Sequence, residues 1–428
     1  MSNVIGVIGL WHLGCILCAA WSKLGNEVIG FDYDSLNVEN LNKAAPPLYE
    51  PELSETILAG LNNGLLRFST DLQSLGKCDF IFLSYDTPVR DDDSSDTSIL
   101  EKAVGDVRRY MKDETVLIVS SQSPVGFCGF LRSKLQEENP FLELAYSPEN
   151  LRLGEAIQCY LHPERIILGT ANAVVAKKCR ELFLPMQADV LDMNLESAEM
   201  VKHGINSFLA TSIVFANQLA DICESKGARI NDVVQGLKTD PRIGEKAYLS
   251  PGIGFSGGTL GRDLKVLDQK NTEAQGTAKI FGMIHAFNNE RKYYVIKRIE
   301  KILSGVEGKS VGILGLTYKP GTSTLRRSLP LEIAYLLLEQ KAKVKVYDPR
   351  ADYRELGVEP KFSIASNIEE VAKSTDALVL LTEWNEFKAY DWEGVPKKMN
   401  QPVFFDTKNF LDEKAMFSYG FKYYSIGR

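Results

Sequence analysis

Apolar residues fall along this chain in short runs closed by glycine. "NVIGVIGLWHLG" (3–14) reads as a buried strand entering a glycine turn, and "KSVGILGLTYKPG" (309–321) repeats the form. Each is followed by a helical segment and then by a second strand ending in aspartate: "EVIGFDYD" with Asp32, and "KVKVYDPR" with Asp348. Two copies of strand, glycine turn, helix, strand and aspartate predict two separate nucleotide-fold domains. Further apolar strands at 78–85, 115–121, 142–149 and 165–170 alternate with helical segments and predict a mostly parallel sheet in the first copy. From Glu196 to Lys226 the chain keeps an apolar face at helical spacing without proline, which predicts one long helix ended by Gly227. Residues 264–304 read mostly as helix. The fold class is therefore α/β, with two doubly wound parallel-sheet domains, 1–195 and 305–428, joined by a helical part, 196–304.

Composition narrows the function classes. The 428 residues, 44% hydrophobic and 25% charged, suit a globular protein with ample core. A net charge of −7 argues against a nucleic-acid or anionic-membrane surface, while a local basic cluster still suffices for one small anion. No membrane span and no signal peptide are expected. Seven cysteines without framework spacing fit a reducing cytoplasm. Cys15 and Cys18 form a CxxC after His12, but no second ligand pair follows. Two small residues packing a helix on a sheet describe them better than a redox pair, and no metal site is expected.

The first glycine turn is Gly9-Leu10-Trp11-His12-Leu13-Gly14. A dinucleotide fingerprint has glycine where Trp11 stands, because the backbone there approaches the pyrophosphate. Asp32, at the end of the next strand, strengthens the reading and favours NAD over NADP, since a carboxylate accepts ribose hydroxyls and repels a 2′-phosphate. The plainer reading is a packing glycine and an ordinary strand-end aspartate. Lys202 and Asn206 share one face of the long helix, with Glu199 and Ser207 nearby. They make either a functional pair or a surface lysine beside a buried amide. "GIGFSGGTLGRD" (252–263) holds five glycines and Thr259, and closes on Arg262 and Asp263. That aspartate is either a site residue or the cap of a following helix. Lys319 and Arg326, past the second turn, suit a diphosphate or are simply exposed. The acidic run 90–96 reads as a solvated loop.

Together these motifs resemble the UDP-glucose/GDP-mannose dehydrogenase family over nearly the whole chain. The resemblance rests on their order: "SYDTPV" (84–89), "SSQSPVG" (120–126), "SPENLRLG" (147–154), "HPERIILG" (162–169), Lys202 with Asn206, "DPRIG" (240–244), the 252–263 loop, "YKPGTSTLR" (318–326) and "FDTKN" (405–409). It implies an N-terminal NAD-binding Rossmann domain, a central helix that makes a homodimer, and a C-terminal Rossmann-like UDP-sugar domain. It also implies a cytoplasmic enzyme of polysaccharide biosynthesis that oxidises C6 of a nucleotide sugar to a carboxylate in two NAD-dependent steps, with a loop cysteine trapping the aldehyde. Carried over, Lys202, Asn206 and Asp263 match the groups that orient and deprotonate the reacting oxygen, and Glu149 the acid/base glutamate. Gly9, Trp11, His12, Leu13, Gly14, Asp32, Ser84, Thr87, Ser121, Gln122, Arg262 and Arg326 would face NAD. Leu151, Phe255, the backbone of 250–257 with Gly257, Lys319 and Lys408 would meet the UDP-sugar, and Arg242 the neighbouring subunit's substrate.

The chain departs from the family pattern at telling places. Thr259 stands where the family has its catalytic cysteine. Gln122 replaces a threonine, Leu153 a glutamate, Lys408 an arginine and Arg262 a lysine. A threonine hydroxyl is far less acidic than a thiol and needs a dedicated base. The first oxidation needs no covalent catalyst, only a base, a place for the developing alkoxide and NAD. The leading expectation is thus an oxidoreductase that stops at the 6-aldehyde. The alternatives are full oxidation through the aldehyde hydrate, a transient oxidation of the epimerase or dehydratase kind, and a binding homologue without turnover in which Trp11 blocks the pyrophosphate.

Overall fold

A computed structural model describes residues 3–87, 96–148, 151–152, 154–277 and 279–428. The chain forms two compact units, residues 1–204 and 205–428.

The first unit is built on an eight-stranded sheet. Its strands are β1 (Val4–Ile8), β2 (Glu27–Phe31), β3 (Leu66–Ser69), β4 (Phe80–Leu83), β5 (Val116–Val119), β6 (Glu143–Tyr146), β7 (Arg165–Thr170) and β8 (Asp189–Met193), in spatial order 3-2-1-4-5-6-7-8. All pairings are parallel except β6 with β7. Strands this short and apolar are what a sheet covered on both faces requires. Ile5, Val7, Val28, Phe82 and Ile118 pack on one face against Cys15, Ile16, Cys18, Ala19 and Trp21 of helix α1 (His12–Lys23). Ile8, Ile29, Phe31, Ile81, Leu83, Leu117 and Val119 point to the opposite face, where they meet Leu131 and Leu135 of helix α2 (Phe127–Gln136). The order reverses between β1 and β4, the point at which such sheets bind ligands beyond their strand ends.

The long helix α3 (Leu195–Lys226) ends as expected, with Gly227 in the left-handed region at φ +72°. The division between the units falls within it. The second unit continues with helices α4 (Thr259–Glu273) and α5 (Ile280–Leu303). Its sheet comprises β9 (Ser310–Leu314), β10 (Lys343–Tyr347), β11 (Ser363–Ile364), β12 (Ala377–Leu380), β13 (Val403–Asp406) and β14 (Lys422–Ser425). Their order is 11-10-9-12-13-14, all parallel. Both sheets of the predicted fold class are present. No helix among the described residues is long and apolar enough to cross a membrane. The acidic run lies outside the described residues except for Asp96.

Candidate active site

The turn after β1 needs two of its glycines for plain steric reasons. Gly9 sits at φ +96°, and a Cβ there would come 2.8 Å from the Tyr85 ring and backbone N. A Cβ on Gly14 would fall 1.8 Å from the Gly9 carbonyl oxygen. Trp11 instead has φ −85° and ψ −157°, an extended conformation open to any side chain, and its indole is 48% exposed. The turn therefore closes without a glycine there. Trp11 is the N-cap of α1, and the first amide to find an intrahelical acceptor is that of Cys15, on the Trp11 carbonyl at 2.9 Å. The amides of His12, Leu13 and Gly14 are the helix's orphan donors, at its positive end, with neither a capping side chain nor a first-turn acid to occupy them. That donor set suits a diphosphate.

Asp32 and Asp348 look alike in sequence and differ in structure. Asp32 accepts the Leu10 amide at 2.7 Å and the Asp34 amide at 3.2 Å. A carboxylate has about four acceptor positions, so room remains for ribose hydroxyls. Asp348 takes six donors: the amides of Leu316 and Thr317, the Thr317 hydroxyl and the Trp384 indole on one oxygen, and the amides of Arg350 and Ala351 on the other. It is a locked structural group. The residues of the first turn fit NAD, and those of the second turn have no equivalent opening for a ribose.

The strand ends beside β1 are laced together by hydroxyls. Ser84 donates to the carbonyls of Ile8 and Gly9 at 3.0 and 2.9 Å, Ser121 to that of Leu83 at 3.2 Å, and Thr87 to that of Gln122 at 3.0 Å. Lys202 lies half-buried on α3. Leu151 packs on the first core, while Glu149 and Leu153 lie outside the described residues.

In the second unit, side chains far off in sequence fix the glycine-rich loop. The Asn217 carbonyl accepts the Gly252 amide at 2.7 Å, and Arg291 donates to the Gly252 oxygen at 3.0 Å. Asn288 clasps Phe255 from both sides, accepting its amide at 2.8 Å and donating to its carbonyl at 2.9 Å. Gly254 is at φ +102°, and a Cβ there would stand 2.6 Å from the Asn288 oxygen. Lys408 passes close to Gly252, and Tyr318 close to Gly257. Burial pushes the Tyr318 phenol up, which keeps it a neutral hydrogen-bonding group.

Helix α4 begins at Thr259, inside this loop, so Arg262 and Asp263 are interior helical residues and Asp263 caps nothing. Thr259 is its exposed first residue, after an N-cap glycine, Gly258. Asp263 is fully buried, accepts the Asn206 side-chain amide, and has the Arg262 guanidinium 3.9 Å away. Asn206, Asp263 and Arg262 thus converge in one unit. The other candidates here are more dispersed. Lys408 pairs with Glu383 at 3.1 Å, Lys319 lies over the Tyr318 ring, Arg326 is exposed, and Arg242 forms a two-pronged pair with Asp240 at 3.0 and 2.7 Å while 88% of its side chain faces solvent.

Sequence reasoning passed over Glu50, which is buried, bonds His12 at 3.0 Å and accepts the Ala156 amide at 2.9 Å. It also gave no role to Asn217, Asn288 and Arg291. Their partners lie tens of residues away and carry no local signature. Cys15 and Cys18 are fully buried, and burial pushes both thiols up. Among the described residues no three His, Cys, Asp or Glu side chains converge on a possible metal position.

Residues 3–187 match the NAD binding domain of the UDP-glucose/GDP-mannose dehydrogenase family, residues 196–290 its central domain and residues 312–413 its UDP binding domain. The UDP-glucose 6-dehydrogenase YwqF of Bacillus subtilis (strain 168) is 32% identical over 429 residues, spanning 99% of this chain and 97% of that protein. The UDP-glucose 6-dehydrogenase of Rickettsia prowazekii (strain Madrid E) is 32% identical over 431 residues, spanning 99% of both. Among solved structures, a UDP-glucose dehydrogenase from the hyperthermophilic archaeon Pyrobaculum islandicum superposes with a TM-score of 0.90 at 27% identity, covering 100% of this chain and 98% of that one. A UDP-D-ManNAc dehydrogenase from Pyrococcus horikoshii shares the fold, with a TM-score of 0.88 at 24% identity and 99% coverage of each.

Proposed function

Because this chain belongs to the UDP-glucose/GDP-mannose dehydrogenase family, we propose that it oxidises C6 of a UDP-hexose and stops at the aldehyde. It is an NAD-dependent oxidoreductase acting on the CH–OH group of a UDP-sugar. The observation that carries the finer reading is Thr259. It stands at the exposed start of α4, where the resemblance puts the family's thiol, while Asp263 and Asn206 are joined in the same unit. Counting NADH formed per sugar consumed tests it.

The first-turn amides of α1 and Asp32 would hold NAD, which when bound would supply the two-electron acceptor. Ser84, Thr87, Ser121 and Gln122 shape the strand ends beside it, and Arg262 and Arg326 contribute positive charge. Lys202, Asn206 and Asp263 orient and deprotonate the C6 oxygen. The ammonium and the amide are donors for the developing alkoxide, and Asp263 holds the amide of Asn206 in place. Glu149 is assigned the acid/base role. Leu151, Phe255, the 250–257 backbone and Lys408 take the sugar, and Lys319 its diphosphate. Asp32→Asn keeps an acceptor for Leu10 and loses the charge. It is expected to weaken NAD about tenfold and to narrow the preference for NAD over NADP, as read from the two dissociation constants.

The active form is proposed to be a homodimer in which Arg242 reaches the neighbouring subunit's substrate. Phe208, Phe215 and Ile222 recur every seventh residue on α3 and are 71, 48 and 57% exposed. A stripe of this kind asks for a partner. Phe215→Glu is expected to halve the mass seen by sedimentation, and an unchanged mass would refute this assembly.

A further inference from the structure

We propose that Glu199 is a positioning residue of the reaction: from the helix that carries Lys202 it fixes the loop bearing Gln122, and with it the nicotinamide end of the cofactor site. The inference rests on the NAD reading above. In a doubly wound sheet the β1–β2 side holds one nucleotide and the loops beyond the next strands face the other. Asp32 marks the first side, so the loops after β4 and β5 face the nicotinamide half.

The loop from β5 to α2 is tied at both ends. Toward β4, the Thr87 hydroxyl donates to the Gln122 carbonyl at 3.0 Å. Toward α3, fully buried Glu199 accepts the Gly126 amide at 2.5 Å on one oxygen and the Cys128 amide at 2.8 Å on the other, with the Ser123 hydroxyl at 3.5 Å. One helical turn on, buried His203 donates from Nε2 to the Ser123 carbonyl at 2.8 Å. Glu199 and His203 are four residues apart and share a face of α3. Lys202 lies between them in sequence.

Gly126, the N-cap of α2, has no side chain to cap that helix, so a carboxylate from α3 does so. A serine or asparagine in the loop would cap the same helix end without burying a charge. Burial holds the Glu199 carboxyl above the usual range, and Glu196 adds to this. What the buried carboxylate adds is direction. Two N–H bonds on its two oxygens fix the rotation of the loop as well as its distance from α3. The carbonyl of Gln122 is held from the other side, so the loop's position near the nicotinamide follows the helix of Lys202.

ADP-ribose tests this, because it carries everything in NAD except the nicotinamide. Dissociation constants for NAD and ADP-ribose, measured by calorimetry, are compared in wild type, Glu199→Gln and Glu199→Ala. Glu199→Ala is expected to weaken NAD about tenfold and ADP-ribose less than about twofold, and Glu199→Gln, with one acceptor oxygen left, to weaken NAD about threefold. A general loosening of the unit would weaken both ligands alike. Equal factors for the two ligands, or unchanged NAD binding, would overturn the proposal. If the alanine variant does not fold, the isosteric glutamine variant decides by the same comparison. Wild-type protein that binds neither ligand would overturn the cofactor reading and this inference with it.

Discussion

About one NADH, not two, is expected for each nucleotide sugar consumed when the reaction runs to completion with UDP-glucose and a panel of related UDP-hexoses, because the proposed reading puts Thr259 where a thiol would open the covalent route to the second hydride. The first oxidation removes a hydride from C6 and a proton from its oxygen, leaving an sp2 aldehyde. A second hydride can leave only after that carbon becomes tetrahedral again. A thiol does this readily, since its pKa near 8.5 leaves a few per cent of thiolate at neutral pH. Thr259 lacks that acidity, and the nearest of the chain's four histidines in sequence is His285. The hydrated aldehyde is the remaining route, and nothing activates it covalently. Thr259→Cys is therefore expected to move the ratio from about one toward two. A wild-type ratio of two that survives Thr259→Ala would show direct oxidation of the hydrate and end the aldehyde reading. Sugar consumed without net NADH would point to transient oxidation instead.

The parts of this molecule written in local patterns were legible, and those written in long-range pairs were not. Short apolar strands alternating with helical segments, two of them running into a glycine turn, made the two sheets legible, whereas the strand order, with its reversal beside β1 and its antiparallel β6–β7 pair, was not, because strand pairing is a long-range property. The end of α3 was equally plain at Gly227. The start of α4 was not, because two glycines precede Thr259 and argue against helix locally. The helix begins there all the same, and Asp263, which a later start would have made a cap, becomes an interior buried carboxylate. The two strand-end aspartates could not be told apart, since what separates them is how many donors surround each. Glu50, Glu199, Asn288 and Arg291 were invisible in function for one reason. Each holds a backbone group 33 to 106 residues away, and only the folded chain brings the partners together.

Asp263 is where the second large effect is expected, and two substitutions separate its two jobs. Its carboxylate is fully buried, accepts the Asn206 amide and lies beside the Arg262 guanidinium. Asp263→Ala removes the acceptor and the counter-charge together. Taking one partner from a buried charged pair costs about 3–5 kcal/mol, which for a unit of this size lowers the melting temperature by roughly 10 °C. Asp263→Asn keeps the shape and an acceptor oxygen for Asn206, so its melting temperature is expected to fall much less. Its kcat is nonetheless expected to drop about 10²–10⁴-fold, because the negative charge proposed to serve deprotonation is gone. Turnover of whichever UDP-hexose the panel identifies, measured beside thermal unfolding, reads both effects in one experiment. A stable, fully active Asp263→Asn enzyme would leave Asp263 as scaffold and shift the work of deprotonation to Lys202. An inactive but stable one would place the charge itself, and not merely the packing around it, in the chemistry.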